Sequence, residues 1–314
     1  MKPRNIRLAA VAICACLASV ALAAQPPGIP DGWSDGYAYS NGARLHYYRA
    51  VPAPGKPVIV MVHGVTDNGL CWTTLTQELQ DDYDIYMLDA RGHGLSDPFT
   101  DSSTGETLIE DLVGFMQAMK LTKPILMGHS MGAATVMRLG AEYPELPRAV
   151  IMLDPLLGPL PDFARPAAAG TGAAPPARRP GSFVMFGSAE ELVAQNNDPF
   201  DDLVATCRRQ DPKWDLADCQ YWALSKKQYH GPYSATQMQA IRATMALADS
   251  LARIAVPALI LKADAPPEVR AANLEAARVM KNGKLVHVDD AGHSLHRDQR
   301  AWTVELLTGF LSNI

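Results

Sequence analysis

Six short apolar runs recur along the chain: 57–63 (PVIVMVH), 84–88 (DIYML), 124–127 (PILM), 149–153 (AVIML), 258–261 (ALIL) and 284–288 (KLVHV). They are brief and aliphatic, with no polar residue at alternate positions. A strand covered on both faces, as in a parallel sheet, has this pattern. Upstream, 36–40 and 43–48 (with Leu45, Tyr47 and Tyr48) read as two further strands, and Asn41-Gly42 supplies a hairpin turn between them. Apolar positions at helical spacing fall in 71–80, 104–119, 133–143, 271–280 and 300–311. Alternation of strand and helix predicts an α/β domain built on a mostly parallel sheet.

The alternation stops after Pro155 and resumes near residue 252. Residues 161–181 are rich in Ala, Pro and Gly and read as an exposed insertion. From 188 to 251 the signals are helical. Ser188-Ala-Glu-Glu has the spacing of a capping box, and Trp214, Tyr221, Trp222 and Tyr233 concentrate aromatics there. The expected organisation is a core of 25–155 and 252–314, with a helical cap of 156–251 over the carboxyl edge of the sheet.

The N-terminus changes the picture of where such a domain works. Lys2, Arg4 and Arg7 precede an uncharged apolar run over 8–22, and Ala21-Leu22-Ala23 has the small-x-small pattern of a cleavage site. Fifteen apolar residues are short for a membrane span. Residues 1–24 are therefore expected to be a removable signal peptide of an exported, periplasmic or secreted protein without a later membrane span. Cys14 and Cys16 lie in the apolar run, which leaves Cys71, Cys207 and Cys219. Export permits a disulfide, with Cys207 and Cys219 the nearest pair, and three scattered thiols make no zinc pattern. Of 314 residues, 48% are hydrophobic and the net charge is −5. This composition supports a large core and offers no basic footprint for nucleic acid.

Gly128-His129-Ser130-Met131-Gly132 is a G-x-S-x-G pentapeptide between an apolar strand and an amphipathic helix. A sharp strand-to-helix turn projects a serine hydroxyl, small neighbours relieve crowding, and the helix N-terminus directs free N–H groups to the same place. His63-Gly64-Val65 follows the first central strand, where a loop N–H from Val65 would join that of Met131 as an oxyanion hole. His63 itself reads as structural. In Asp89-Ala-Arg-Gly-His-Gly-Leu-Ser96 the glycines imply a turn, and Asp89, Arg91 and His93 read as structural. Asp290-Ala-Gly-His293 follows the last strand and makes His293 the candidate general base. His287 and His296 read as packing or surface residues.

With HG at 63–64, DARGHGLS at 89–96, GHSMG at 128–132 and AGH at 291–293, the mature chain resembles the α/β-hydrolase superfamily throughout its length. The resemblance implies an eight-stranded, mostly parallel sheet flanked by helices, a Ser-His-acid triad, no cofactor, and a cap that shapes a pocket for a small-molecule substrate. It also implies two places for the acid. After the seventh strand the usual carboxylate position falls near Pro266, leaving Asp264 slightly early and Glu268 slightly late. After the sixth strand stands Asp154, the preferred candidate, with Asp264 as the alternative. Epoxide hydrolases and dehalogenases of the superfamily attack with Asp, which Ser130 replaces. The expected activity is hydrolysis of a carboxylic ester or lactone of a small, apolar substrate through an acyl-enzyme. An amidase, an iminopeptidase or a C–C bond hydrolase would use the same groups, and a non-catalytic receptor is the least favoured reading. For an aminopeptidase, Glu190, Glu191, Asp198, Asp201 and Asp202 form the candidate amine-binding cluster.

Overall fold

A computed structural model describes residues 26–158, 189–231, 234–245 and 250–314. The expected signal peptide, the Ala/Pro-rich insertion and Ser188 lie outside the described residues. Strands β1 (Ser34–Ser40) and β2 (Ala43–Arg49) form the hairpin expected at Asn41-Gly42. There follow β3 (Val58–Val62), a 3₁₀ turn (Gly69–Trp72), α1 (Thr73–Leu79), β4 (Asp84–Leu88), α2 (Thr107–Ala118), β5 (Ile125–His129), α3 (Met131–Glu142) and β6 (Ala149–Leu153). Helices α4 (Ala189–Asn196), α5 (Phe200–Gln210), α6 (Leu216–Gln228), α7 (Ala235–Thr244) and α8 (Ser250–Arg253) precede β7 (Ala258–Lys262). The chain ends with α9 (Pro267–Ala277), β8 (Gly283–His287), α10 (Leu295–Asp298) and α11 (Arg300–Leu311).

One eight-stranded sheet has the order β1-β2-β4-β3-β5-β6-β7-β8. The β1–β2 and β2–β4 pairs are antiparallel, and every later pair is parallel. Successive side chains of a strand leave opposite faces, which explains why the strands are apolar throughout. Val60, Val62, Leu126 and Met152 pack on α2 and α3 with Phe115, Val136 and Met137. Ile59, Met61, Met127 and Ile151 pack on the other side with Trp72, Leu75, Leu307 and Phe310. Each fully buried aliphatic side chain stabilises the fold by roughly 1.5–3 kcal/mol, so both layers depend on the sheet's two faces being covered.

Helix α9 begins four residues before the periodicity suggested. Pro267 occupies its first turn, where the missing N–H is no loss. Helix α2 starts three residues late, because residues 104–107 close a turn in which Thr104 N–H donates to Thr107 Oγ1 at 2.8 Å. Cys207 and Cys219 are joined in a disulfide that ties α5 to α6, and Cys71 is a buried free thiol. The parallel register gathers the carboxyl ends of β3 to β8 along one edge, the place where open α/β sheets bind ligands.

Candidate active site

Ser130 sits between β5 and α3 with φ 53° and ψ −113°, a region L-residues seldom enter. Hydrogen bonds hold it there, from Ser130 N–H to Leu153 O and from Ala134 N–H to Ser130 O, both 3.0 Å. The two glycines of the pentapeptide have separate reasons. A Cβ on Gly128 would strike the carbonyl of Gly132, and one on Gly132 would strike the carbonyl of Val62 in β3. A Cβ on Gly64 would lie 3.2 Å from that of Ser130, so the loop after β3 is drawn against the serine. Among the described residues, neither Val65 N–H nor Met131 N–H donates to a protein acceptor.

His293 lies in the loop after β8, and its Nδ1 is 2.6 Å from Asp154 Oδ2. The imidazole is 53% exposed while the Asp154 side chain is 11% exposed, so the ring keeps a free edge beside a fixed carboxylate. The other oxygen, Oδ1, accepts from Ala263 N–H at 3.1 Å and pairs with Lys262 Nζ at 2.5 Å. Burial disfavours the Asp154 charge, but the His293 hydrogen bond and the Lys262 ammonium prevail and hold its carboxyl well below the usual carboxylate range. Asp264 does something different. Its Oδ1 accepts from Arg270 Nη2 (2.5 Å), its Oδ2 accepts from Asp290 N–H (2.9 Å), and its own N–H donates to Ala291 O (2.8 Å). Asp264 thus braces the turn that carries His293 without touching the ring. Glu268 is exposed in the first turn of α9.

The remaining histidines are held by the fold. His63 Nε2 accepts from Ala90 N–H at 3.0 Å, and its Nδ1 lies 2.7 Å from Gly64 O. Both ring nitrogens are therefore engaged. Asp89 accepts from Gly69 N–H, Leu95 N–H and the ring of His46. Arg91 makes a two-pronged pair with Asp111 of α2. His129 Nε2 reaches the backbone carbonyl of His293 at 2.9 Å. Burial, with the neighbouring His293, pushes the His129 ring down to about 3, so it stays neutral and donates. His296, expected as a packing or surface residue, is buried between Trp72 and His129.

Ser130, His293 and Asp154 line one cavity of about 380 Å³. Gly64, Val65 and His129 join them from the core, and Trp214, Trp222, Lys226 and Met245 from the segment between β6 and β7. Among the described residues Ser130 Oγ makes no hydrogen bond to His293, although both line the cavity. None of the described acidic residues proposed as an amine-binding cluster lines the cavity; Asp201 and Asp202 are exposed in the first turn of α5. Sequence reasoning missed Asp67, Lys226, Lys262 and Arg297, which line the same cavity. Arg297 comes four residues after His293, a spacing that becomes meaningful only once α10 turns it inward.

Residues 59–306 match the model of the alpha/beta hydrolase family. The chain belongs to that family. Among curated α/β-hydrolase relatives, 2-(acetamidomethylene)succinate hydrolase of Mesorhizobium japonicum is 33% identical over 31% of this chain and 35% of its own length. N-formylmaleamate deformylase of Pseudomonas putida is 35% identical over 40% of this chain and 46% of its own. Epoxide hydrolase 1 of Caenorhabditis elegans is 26% identical over 39% and 30%. The chain thus matches less than half the length of these relatives. The solved structure of E-2-(acetamidomethylene)succinate hydrolase aligns over 89% of this chain and 99% of that one, with a TM-score of 0.65 and 20% identity. At that identity the likeness concerns the α/β-hydrolase fold alone.

Proposed function

We propose that this α/β hydrolase is an exported serine hydrolase that cleaves a carboxylic ester or lactone of a small substrate. The observation that carries the reading is the 2.6 Å contact of Asp154 with His293 Nδ1, in a cavity that the strained Ser130 also lines. With Nδ1–H given to Asp154, the Nε2 lone pair of His293 is the one left to take a proton. Ser130 Oγ attacks the carbonyl carbon, and its proton passes to His293. The Val65 and Met131 N–H groups receive the developing oxyanion. Collapse expels the alcohol, protonated by His293, and leaves an acyl-serine. Water, deprotonated by His293, then releases the acid and restores Ser130. Asp154 stays ionised and stabilises the imidazolium in both halves.

Serine at the nucleophile position separates this chain from the aspartate chemistry expected of its epoxide hydrolase relatives. A second reading, an amide as the scissile group, draws on the deformylase among the relatives; the same residues would serve it. Export draws support from the basic and apolar N-terminal pattern and from the Cys207–Cys219 disulfide, which suits an oxidising compartment. The test is direct. Chromogenic esters of graded acyl length should turn over, an organophosphonate should add its mass to the peptide holding Ser130, and Ser130→Ala should abolish both. Retention of turnover within tenfold of wild type in that variant would remove the serine from the mechanism. Mass analysis of the exported protein should show cleavage after Ala23 or Ala24.

A further inference from the structure

The turn after β3 is strained, and a side chain from the segment between β6 and β7 supports it. Asp67 N–H donates to Gly64 O at 3.1 Å and closes Gly64–Asp67 as a β-turn, with Val65 second and Thr66 third. Thr66 has φ 68°. A type II turn requires positive φ at its third position, and glycine or asparagine normally supplies it. A β-branched residue there persists only when its surroundings hold it. Lys226 of α6 provides the hold. Its Nζ donates to Thr66 O at 2.8 Å, to Thr66 Oγ1 at 2.9 Å and to Asp67 Oδ1 at 3.2 Å. The Lys226 side chain is 1% exposed and Thr66 is buried, so water competes little for these bonds. One residue further on, Asn68 Nδ2 donates to Gln228 Oε1 at 2.7 Å. The C-terminal end of α6 is thus tied to this loop about two turns beyond the disulfide at Cys219.

We infer that Lys226 is a positioning residue of the oxyanion hole: by holding Thr66 in its left-handed conformation, it fixes the place of Val65 N–H beside Ser130. The inference rests on the serine-hydrolase reading above, in which Val65 N–H is one of two oxyanion donors. Gly64 opens the turn, and a Cβ on it would lie 3.2 Å from that of Ser130, so the turn's shape is set directly against the nucleophile. Without the ammonium, Thr66 relaxes to negative φ, the turn changes type and the Val65–Thr66 peptide turns over. Val65 then loses its fixed orientation, whereas Met131, at the start of α3, keeps its own. The substrate still binds, but the tetrahedral intermediate loses a donor. A lysine that merely fastened α6 to the β3 loop would change stability or KM, and the backbone preference of residue 66 would be immaterial.

The test uses the whole enzyme with 4-nitrophenyl butyrate and the organophosphonate. Removing one oxyanion donor slows acyl transfer roughly 10²–10³-fold. Lys226→Met leaves Asp67 paired with Arg297 Nη2 at 2.8 Å. It should lower kcat at least about tenfold with KM within about threefold, and slow phosphonylation of Ser130 by a similar factor. Glycine adopts positive φ without support and alanine does not. Adding Thr66→Gly to Lys226→Met should therefore raise kcat at least about fivefold, and adding Thr66→Ala should not. A folded Lys226→Met with unchanged kcat and phosphonylation, or with its loss in KM alone, overturns the inference and leaves the hydrolase reading intact. So does a glycine that recovers no more than alanine. If wild type is phosphonylated but turns over no ester, the phosphonylation rates of the same variants decide. If neither Lys226→Met nor Lys226→Gln folds, a crystal structure of the phosphonylated wild type decides. Val65 N within about 3.2 Å of the phosphonyl oxygen, with Lys226 still on Thr66 O, supports the inference. Thr66 at negative φ, or Val65 N–H turned away, overturns it. Absence of both labelling and turnover removes the inference together with the reading beneath it.

Discussion

Asp154 leaves β6 with φ 45°, and its two oxygens are divided, one for Lys262 and the Ala263 N–H, the other for His293. In the proposed mechanism, replacing the carboxylate with an amide leaves the shape but removes the charge that would stabilise the imidazolium and fix its tautomer. Asp154→Asn is therefore expected to lower kcat by at least about a hundredfold, with a smaller change in KM. Asp264→Asn removes only a brace on the turn, and its expected loss is under about tenfold. Steady-state kinetics of the two variants check this, and the reverse ranking would return the acid to the end of β7. Because the folded Asp154 carboxyl is held below its unfolded value, its contribution to stability is complete above about pH 4 and is lost only as pH falls toward the lower folded value.

At the scale of elements, the strands were legible because a doubly covered sheet demands unbroken apolar runs, and every such run became a strand. The pentapeptide at 128–132 was legible because two of its positions admit no Cβ. The boundary of α9 was not, since Pro267 can open a helix as readily as block one. The choice of acid was legible only as alternatives: strand ends show which carboxylates are near, and their orientation depends on the left-handed turn at Asp154. Asp67, Lys226 and Arg297 left no local signal, because they meet across about 160 to 230 positions of chain. The element of most consequence for the cavity is α6, which carries Trp222 and Lys226 and is tied at Cys219 to α5. Removing that tie in a Cys207→Ser/Cys219→Ser double variant is expected to destabilise the protein by about 2–3 kcal/mol, measured by urea unfolding. Since α6 forms part of the wall, KM should rise more than kcat falls. Unchanged stability and KM would show that packing alone holds α5 and α6 together.

Across the whole molecule, six of the eight imidazoles are buried. His63, His93, His129 and His296 lie in the interior, and burial lowers the proton affinity of each. As pH falls below about 6.5, the unfolded chain takes up protons at these positions while the folded one does not, so stability declines with decreasing pH. A ring that is protonated in the unfolded chain and neutral in the folded one contributes at most about 1.4 kcal/mol per pH unit. His46, raised by Asp89 and Asp35 against the effect of its burial, acts in the opposite sense and above about pH 6.5, where the unfolded ring has lost its proton and the folded one still holds it. The expected outcome is a stability that falls steadily between about pH 6.5 and 5. Urea midpoints at pH 7, 6 and 5 would check it, and a flat profile would mean that the interior rings protonate without unfolding. Ser130 gives the same ledger of stability another turn. A backbone held at φ 53° by its surroundings relaxes when glycine replaces the side chain, by on the order of 1 kcal/mol. A random library ranked by heat resistance alone would therefore enrich a Ser130→Gly clone, which the proposed mechanism makes inactive, and directed evolution of this scaffold toward robustness has to be gated on turnover in every round.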